Sequence, residues 1–154
     1  MEKFMSEALK EARLAAEKGE VPIGCVIAQG DTIIGRGHNL VETMKDPTAH
    51  AEMQAIRQAT EVYGRNRLVG CTMYVTLEPC AMCAGAIVQA RLTGLIIGAM
   101  DPKAGACGSL FNIVEDARLN HRVRLETGVM EAESAALLKD FFRELRKRNG
   151  GNHQ

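Results

Sequence analysis

Between Thr48 and Ala99 the apolar pattern switches repeatedly between helical and strand spacing, and that alternation leaves the chain few folds to choose from. Thr48 stands as an N-cap before helical spacing that runs to about Thr60. A β-rich run follows at Thr72–Leu77, then a helix opened by Pro79, then a second β-rich run at Leu95–Ala99. Strands alternating with helices imply βαβ units and a largely parallel sheet covered on both faces. Upstream, the short runs Pro22–Ala28 and Thr32–Gly37 flank Gln29-Gly30-Asp31 and read as a hairpin, so the sheet is expected to be mixed.

The ends of the chain are helical by the same reasoning. Phe4, Met5, Ala8, Leu9, Ala12, Ala15 and Ala16 recur at helical spacing over residues 2–18, and Gly19 sits where a helix C-terminal glycine belongs. After a loop at Asp101–Ser109 come a short helical stretch near Leu110–Asp116 and a strand near Arg122–Thr127. A last amphipathic helix is expected over Glu131–Lys147, with Ala135, Leu138, Phe141, Phe142 and Leu145 on or near one face. Residues 1–148 then form a single domain, and the polar, glycine-containing tail 149–154 is expected to be disordered.

Composition narrows the function classes. With 46% hydrophobic and 25% charged residues in 154, the chain can bury an ordinary core, which excludes wholesale disorder. Its 19 basic and 19 acidic side chains cancel, so the global positive charge of many nucleic-acid binders is missing. Locally, Lys139–Arg148 holds five basic residues against Asp140 and Glu144, a net of +3. On charge alone this is a solvated helix face. The N-terminus lacks an apolar signal region and no run of 18 apolar residues occurs, so neither a signal peptide nor a membrane span is expected. Five cysteines without a secretory signal argue for reduced thiols and a cytoplasmic protein.

Two clusters carry chemistry: His50-Ala51-Glu52 and Pro79-Cys80-Ala81-Met82-Cys83, each at the start of an expected helix. Pro79 suits the first helical position, and Cys80 and Cys83 then lie on one face of the first turn. The helix N-terminus favours thiolate, the form that binds metal. His50 adds a third ligand, and three protein ligands leave a tetrahedral ion one open position, as in catalytic zinc sites. A redox CxxC would have no use for His50 or Glu52, and a structural zinc site wants a fourth ligand at close spacing. Cys25 and Cys71 lie in or beside β-runs and Cys107 in a loop, while His38, His121 and His153 are isolated.

Glu52 points to a reaction, because a carboxylate beside a metal-activated water can carry its proton. By itself, an acid in the first turn of a helix is equally a response to the helix dipole. There is also a geometric tension. Residues two apart on an ideal helix point about 200° from each other, so His50 and Glu52 converge only at a frayed first turn.

The pattern HAE followed by PCxxC resembles the cytidine/nucleotide deaminase superfamily. Glu20–Gly24, Gly37-His38-Asn39, Asp46–Glu52, Val75–Gly85, Gly105–Ser109, Asn120-His121-Arg122 and Phe141-Phe142-Arg143 further resemble the bacterial tRNA-specific adenosine deaminase family, over nearly the whole chain. That resemblance implies a three-layer α/β/α fold of cytidine deaminase-like type with a five-stranded mixed sheet. It also implies a homodimer with one zinc ion per subunit and hydrolysis of the wobble adenosine of a tRNA anticodon to inosine. By position, His50, Cys80 and Cys83 are the implied ligands and Glu52 the proton shuttle. Asn39 is the implied contact to the purine edge, and the backbone N–H groups of Ala51 and Cys80 steady the base. Asp101 and Lys103 belong to the loop that meets the anticodon, and Phe142 and Arg143 to a helix flanking it. Phe141 and Phe142 cannot share one helix face, which leaves one for the core and one for a base. Asn39 by itself could equally be a turn residue and Lys103 a plain loop lysine.

Two other readings fit part of the pattern. A deaminase of a free base or nucleotide, of guanine or cytosine type, would keep the same ligands and glutamate. A zinc-stabilised RNA-binding module would keep the ligands and have no use for Glu52.

Overall fold

The computed structural model describes residues 1–152. In chain order it comprises α1 (Glu2–Glu17), β1 (Gly24–Gln29), β2 (Thr32–His38), a one-turn α2 (Val41–Met44), α3 (Ala51–Tyr63), β3 (Cys71–Leu77), α4 (Ala81–Gln89), β4 (Gly94–Ala99), β5 (Arg124–Thr127) and α5 (Glu131–Asn152). The five strands form one sheet in the order β2-β1-β3-β4-β5. β1 runs antiparallel to both β2 and β3, whereas β3–β4 and β4–β5 are parallel. The sheet is mixed because a hairpin opens it and helical crossovers complete it.

Burial on both faces follows the two-residue period of a strand. In β3, Cys71, Met73 and Val75 enter the core beneath α3 and α4, while Tyr74 enters the other core, beneath α1. There its ring lies 5.1 Å from that of Phe4. Helix α5 packs beside α1 on that second face, which completes a three-layer α/β/α arrangement.

Helix α3 lies unusually close to the sheet, and small residues permit it. Ala51, Ala55 and Ala59 recur every fourth position and are fully buried. Opposite them, Gly35 and Gly37 of β2 have no room for a Cβ, which would collide with the carbonyls of Ala55 and Ala51. This alanine-on-glycine contact fixes where α3 begins, and so where His50 stands.

Several boundaries differ from expectation. α3 starts at Ala51 with His50 as N-cap. Thr48 is engaged elsewhere, its N–H at 2.8 Å and its hydroxyl at 2.7 Å from Asp46 Oδ1. α4 starts at Ala81 with Cys80 as N-cap, so Pro79 precedes the cap instead of opening the helix. No helix forms at residues 110–116. N–H groups there bond carbonyls of the preceding loop instead, Leu110 and Phe111 to Gly105 and Ile113 to Ala106, and that loop is in turn held by the Glu78 carboxylate through the N–H groups of Cys107 and Ser109. The inward face of α5 is led by Ser134, 2% exposed against Gly98, and Ala135 points outward. α5 also continues to Asn152, through residues 149–152 of the tail expected to be disordered. His153 and Gln154 lie outside the described residues.

Candidate active site

Two helix starts meet at the carboxyl end of β3. His50 caps α3 and Cys80 caps α4, both with extended backbone (φ/ψ −74/157° and −75/177°), and neither side chain bonds its own helix. Their side chains are therefore free to face one another. His50 Nδ1 lies 3.7 Å from Cys80 Sγ and 3.5 Å from Cys83 Sγ. The three ligand atoms all fall within 4.8 Å of one another. A tetrahedral ion with bonds of about 2.3 Å to sulfur and 2.0–2.1 Å to nitrogen needs N···S edges of about 3.5 Å, so this donor set fits a zinc-sized metal.

The sulfurs differ in character. Cys80 is held as thiolate, its pKa brought down to about 3 by hydrogen bonds from Cys83 and His50. Cys83 moves the opposite way, raised by its hydrogen bond to Cys80 and by burial. The His50 imidazole is raised by its contact with Cys80. A cation bound here takes the place of the shared protons.

Glu52 is 3% exposed. Burial pushes its carboxyl up to about 7, against the opposing pull of its own backbone N–H and of His50. It lines a cavity of about 470 Å³ together with His50, Ala51, Cys80, Asn39, Asp101 and Phe142. That volume lies in the roughly 300–1,000 Å³ range of small-molecule sites. The angular tension between His50 and Glu52 is resolved by the cap. With extended φ/ψ, His50 is off the helical wheel, and only Glu52 is on it.

The remaining expected residues divide. Asn39 lines the cavity, yet its Oδ1 also accepts the Val41 N–H at 3.2 Å, so it is a turn residue as well. Asp101 does both too, accepting the N–H groups of Lys103 and Ala104 at 3.0 and 3.2 Å. Lys103 and Arg143 do not line the cavity; Lys103 is exposed, and Arg143 bonds Asp140 at 3.4 Å on the outside of α5. Phe141 and Phe142 both line it, their rings edge to face at 5.4 Å. The expectation that one of them joins the core is thereby corrected.

Two further buried carboxylates in the cavity wall escaped the sequence reading, Glu20 and Glu78, 1% and 3% exposed. Glu20 accepts the N–H groups of Glu42 and Thr43 and so holds α2 over the cavity. Burial acts to raise its pKa, but these bonds outweigh it and hold the carboxyl below its ordinary value. Glu78 is likewise lowered, its bonds to Ser109, Asp101 and Cys107 outweighing burial. Glu20 follows a helix-ending glycine and Glu78 precedes Pro79, both outside any periodic stretch, so nothing in the sequence marked either one as buried. All five cysteines are free. No helix among the described residues is long and apolar enough to cross a membrane.

A five-stranded mixed sheet with a His/Cys/Cys cluster and a buried glutamate at two helix starts defines a deaminase of the cytidine deaminase-like class. The MafB19-like deaminase family model matches residues 1–146. The tRNA-specific adenosine deaminase of Bacillus subtilis is 51% identical over 147 residues, covering 96% of this chain and 91% of that protein. A solved structure from work on tRNA:A34 deaminases, which edit A to I at the wobble position of transfer RNA, superposes with a TM-score of 0.85. It is 46% identical and covers 88% of this chain and 99% of that one. A guanine deaminase from Bacillus subtilis has a TM-score of 0.61 at 42% identity, covering 64% of each chain. The chain belongs to the tRNA-specific adenosine deaminase family.

Proposed function

We propose that this chain hydrolytically deaminates adenosine to inosine at the wobble position of a tRNA anticodon, as a cytoplasmic homodimer with one zinc ion per subunit. The observation that carries the reading is the convergence of His50 Nδ1 and two cysteine sulfurs beside the buried Glu52, on one cavity wall. Zinc held by His50, Cys80 and Cys83 supplies a Lewis acid that brings the ionisation of water near neutral pH. Glu52 accepts the proton of the attacking water. It passes that proton to the ring nitrogen of the base and then helps the amine leave as ammonia, while water oxygen replaces nitrogen at C6. With its carboxyl near 7, Glu52 can both take and return a proton at neutral pH.

In this reading Asn39, a cavity-lining residue, meets the purine edge, and the N–H groups of Ala51 and Cys80, which have no intrahelical partner at a helix start, meet its polar atoms. Asp101 and Phe142 border the entrance, and Lys103 and Arg143 lie farther out, where phosphates of an RNA loop would pass. An anticodon is single-stranded, so its base can be turned out and inserted. The +3 segment Lys139–Arg148 lies on the exposed part of α5 and suits the same partner. Leu110 and Phe111, 55% and 60% exposed, offer apolar surface for a second copy of the chain.

The free-base reading keeps the likeness to a guanine deaminase as its support. Incubation with free adenine, guanine and cytosine beside an anticodon stem-loop separates the two. Inosine in the stem-loop is expected; turnover of a free base with an untouched stem-loop would replace this reading with the other.

A further inference from the structure

Glu78 lines the cavity, and the proton transfers above leave it without a role. Its two oxygens accept four hydrogen bonds, all from one loop. Oε1 takes the Asp101 N–H at 2.8 Å and the Ser109 hydroxyl at 2.5 Å. Oε2 takes the N–H groups of Cys107 at 2.9 Å and Ser109 at 3.0 Å. Gly105 is pressed so closely onto the carboxylate that a Cβ there would overlap it. A second tie joins the Ala106 N–H to the Pro79 carbonyl at 2.9 Å, next to Cys80. The loop from Asp101 to Ser109 is thus folded around one side chain that stands two residues before a metal-binding cysteine. No helix or strand runs through it, and its one bridge pairs Cys107 with Asn112. Asp101 and Ala104 of the same loop form cavity wall beside Glu52 and His50.

We propose that Glu78 is a positioning residue for the substrate, locking the wall Asp101–Ser109 at a fixed distance from the start of α4. This rests on the RNA reading above, in which that wall meets the anticodon. The side chain has to be a carboxylate. Its oxygens are acceptors only, whereas the isosteric amide has one acceptor oxygen and an NH₂ that would face N–H groups. Glu78 does not touch the reacting base. Its effect is on the wall that binds the RNA, whose loosening weakens ground-state and transition-state binding alike and leaves the alignment of the base with Glu52 to the cavity itself.

The test is Glu78→Gln in the zinc-loaded protein, assayed on an anticodon stem-loop. Zinc content stays as in the wild type, KM rises on the order of tenfold, and kcat changes by less than about twofold. Amide exchange accelerates within Asp101–Ser109 and not in α3. Ser109→Ala keeps the carboxylate and removes one donor, so its KM rises less but in the same direction; it carries the test if Glu78→Gln does not fold. Leu9→Ala, buried in α1 on the far side of the sheet, controls for lost stability and leaves KM unchanged. Unchanged KM and exchange would overturn the proposal. So would loss of zinc with a fall in kcat at constant KM, or a KM rise matched by Leu9→Ala. If the wild type leaves the stem-loop untouched, the substrate reading fails, and the exchange data alone then decide whether Glu78 holds the wall.

Discussion

His50 Nδ1 lies 3.5 Å from Cys83 Sγ although 33 residues separate them, because each residue belongs to the first turn or cap of a helix that begins near the carboxyl end of β3. The His/Cys/Cys cluster that could hold a metal is thus a product of two helix starts meeting. Changes that move either start are expected to act on the chemistry.

Cys83→Ala removes a fully buried thiol that is proposed to be a metal ligand. It is expected to lose bound zinc and deamination together, measured by metal analysis and inosine formation. A fully metallated, active variant would remove Cys83 from the ligand set.

Gly37→Val forces a branched side chain into the carbonyl of Ala51, at the base of α3. Overpacking of this kind costs about 1–3 kcal/mol or more. Urea unfolding is expected to show that loss, with zinc affinity falling as His50 is displaced. A variant of wild-type stability would show that α3 is free to lift from the sheet.

Glu20 predicts a pH dependence. Its carboxyl is held below the ordinary value of 4.5 in the folded state, so folding favours its charged form. That stability is present above pH 4.5 and is lost as the pH falls through the lower folded-state value. Thermal melts of wild type and Glu20→Gln are expected to differ most at neutral pH and to converge once the pH has fallen below the lowered folded-state value. A difference that grows on acidification would mean that the carboxylate does not hold α2.

Much of this was legible in the sequence, for identifiable reasons. The hairpin and the crossovers showed through short β-rich runs, the turn residues Gln29-Gly30-Asp31 and the alternation with helical spacing, and the HAE and PCxxC spacing pointed to His50, Cys80 and Cys83, which the fold brings within 4.8 Å of one another. Both helix starts lie two residues later than expected, because Thr48 and Pro79 look like good openers. In the structure Thr48 turns to Asp46, and Cys80 and His50 take the cap positions themselves. Residues 110–116 were expected to be helical, but the N–H groups of Leu110 and Phe111 bond Gly105 and that of Ile113 bonds Ala106, in a loop that is itself held by Glu78, a partner some 30 residues away that no local pattern reveals. Phe141 and Phe142, adjacent in α5, both line the cavity with their rings edge to face, a pairing that a helical-face argument from sequence does not anticipate.

The account stands most directly on Glu52 as the proton carrier beside a metal that it does not hold. Zinc content and inosine formation are therefore to be measured on the same preparation of Glu52→Gln, with an anticodon stem-loop as substrate. The variant is expected to keep one zinc per chain while inosine formation drops by about 10²–10⁴-fold. Full activity, or loss of the metal along with the activity, would contradict that role.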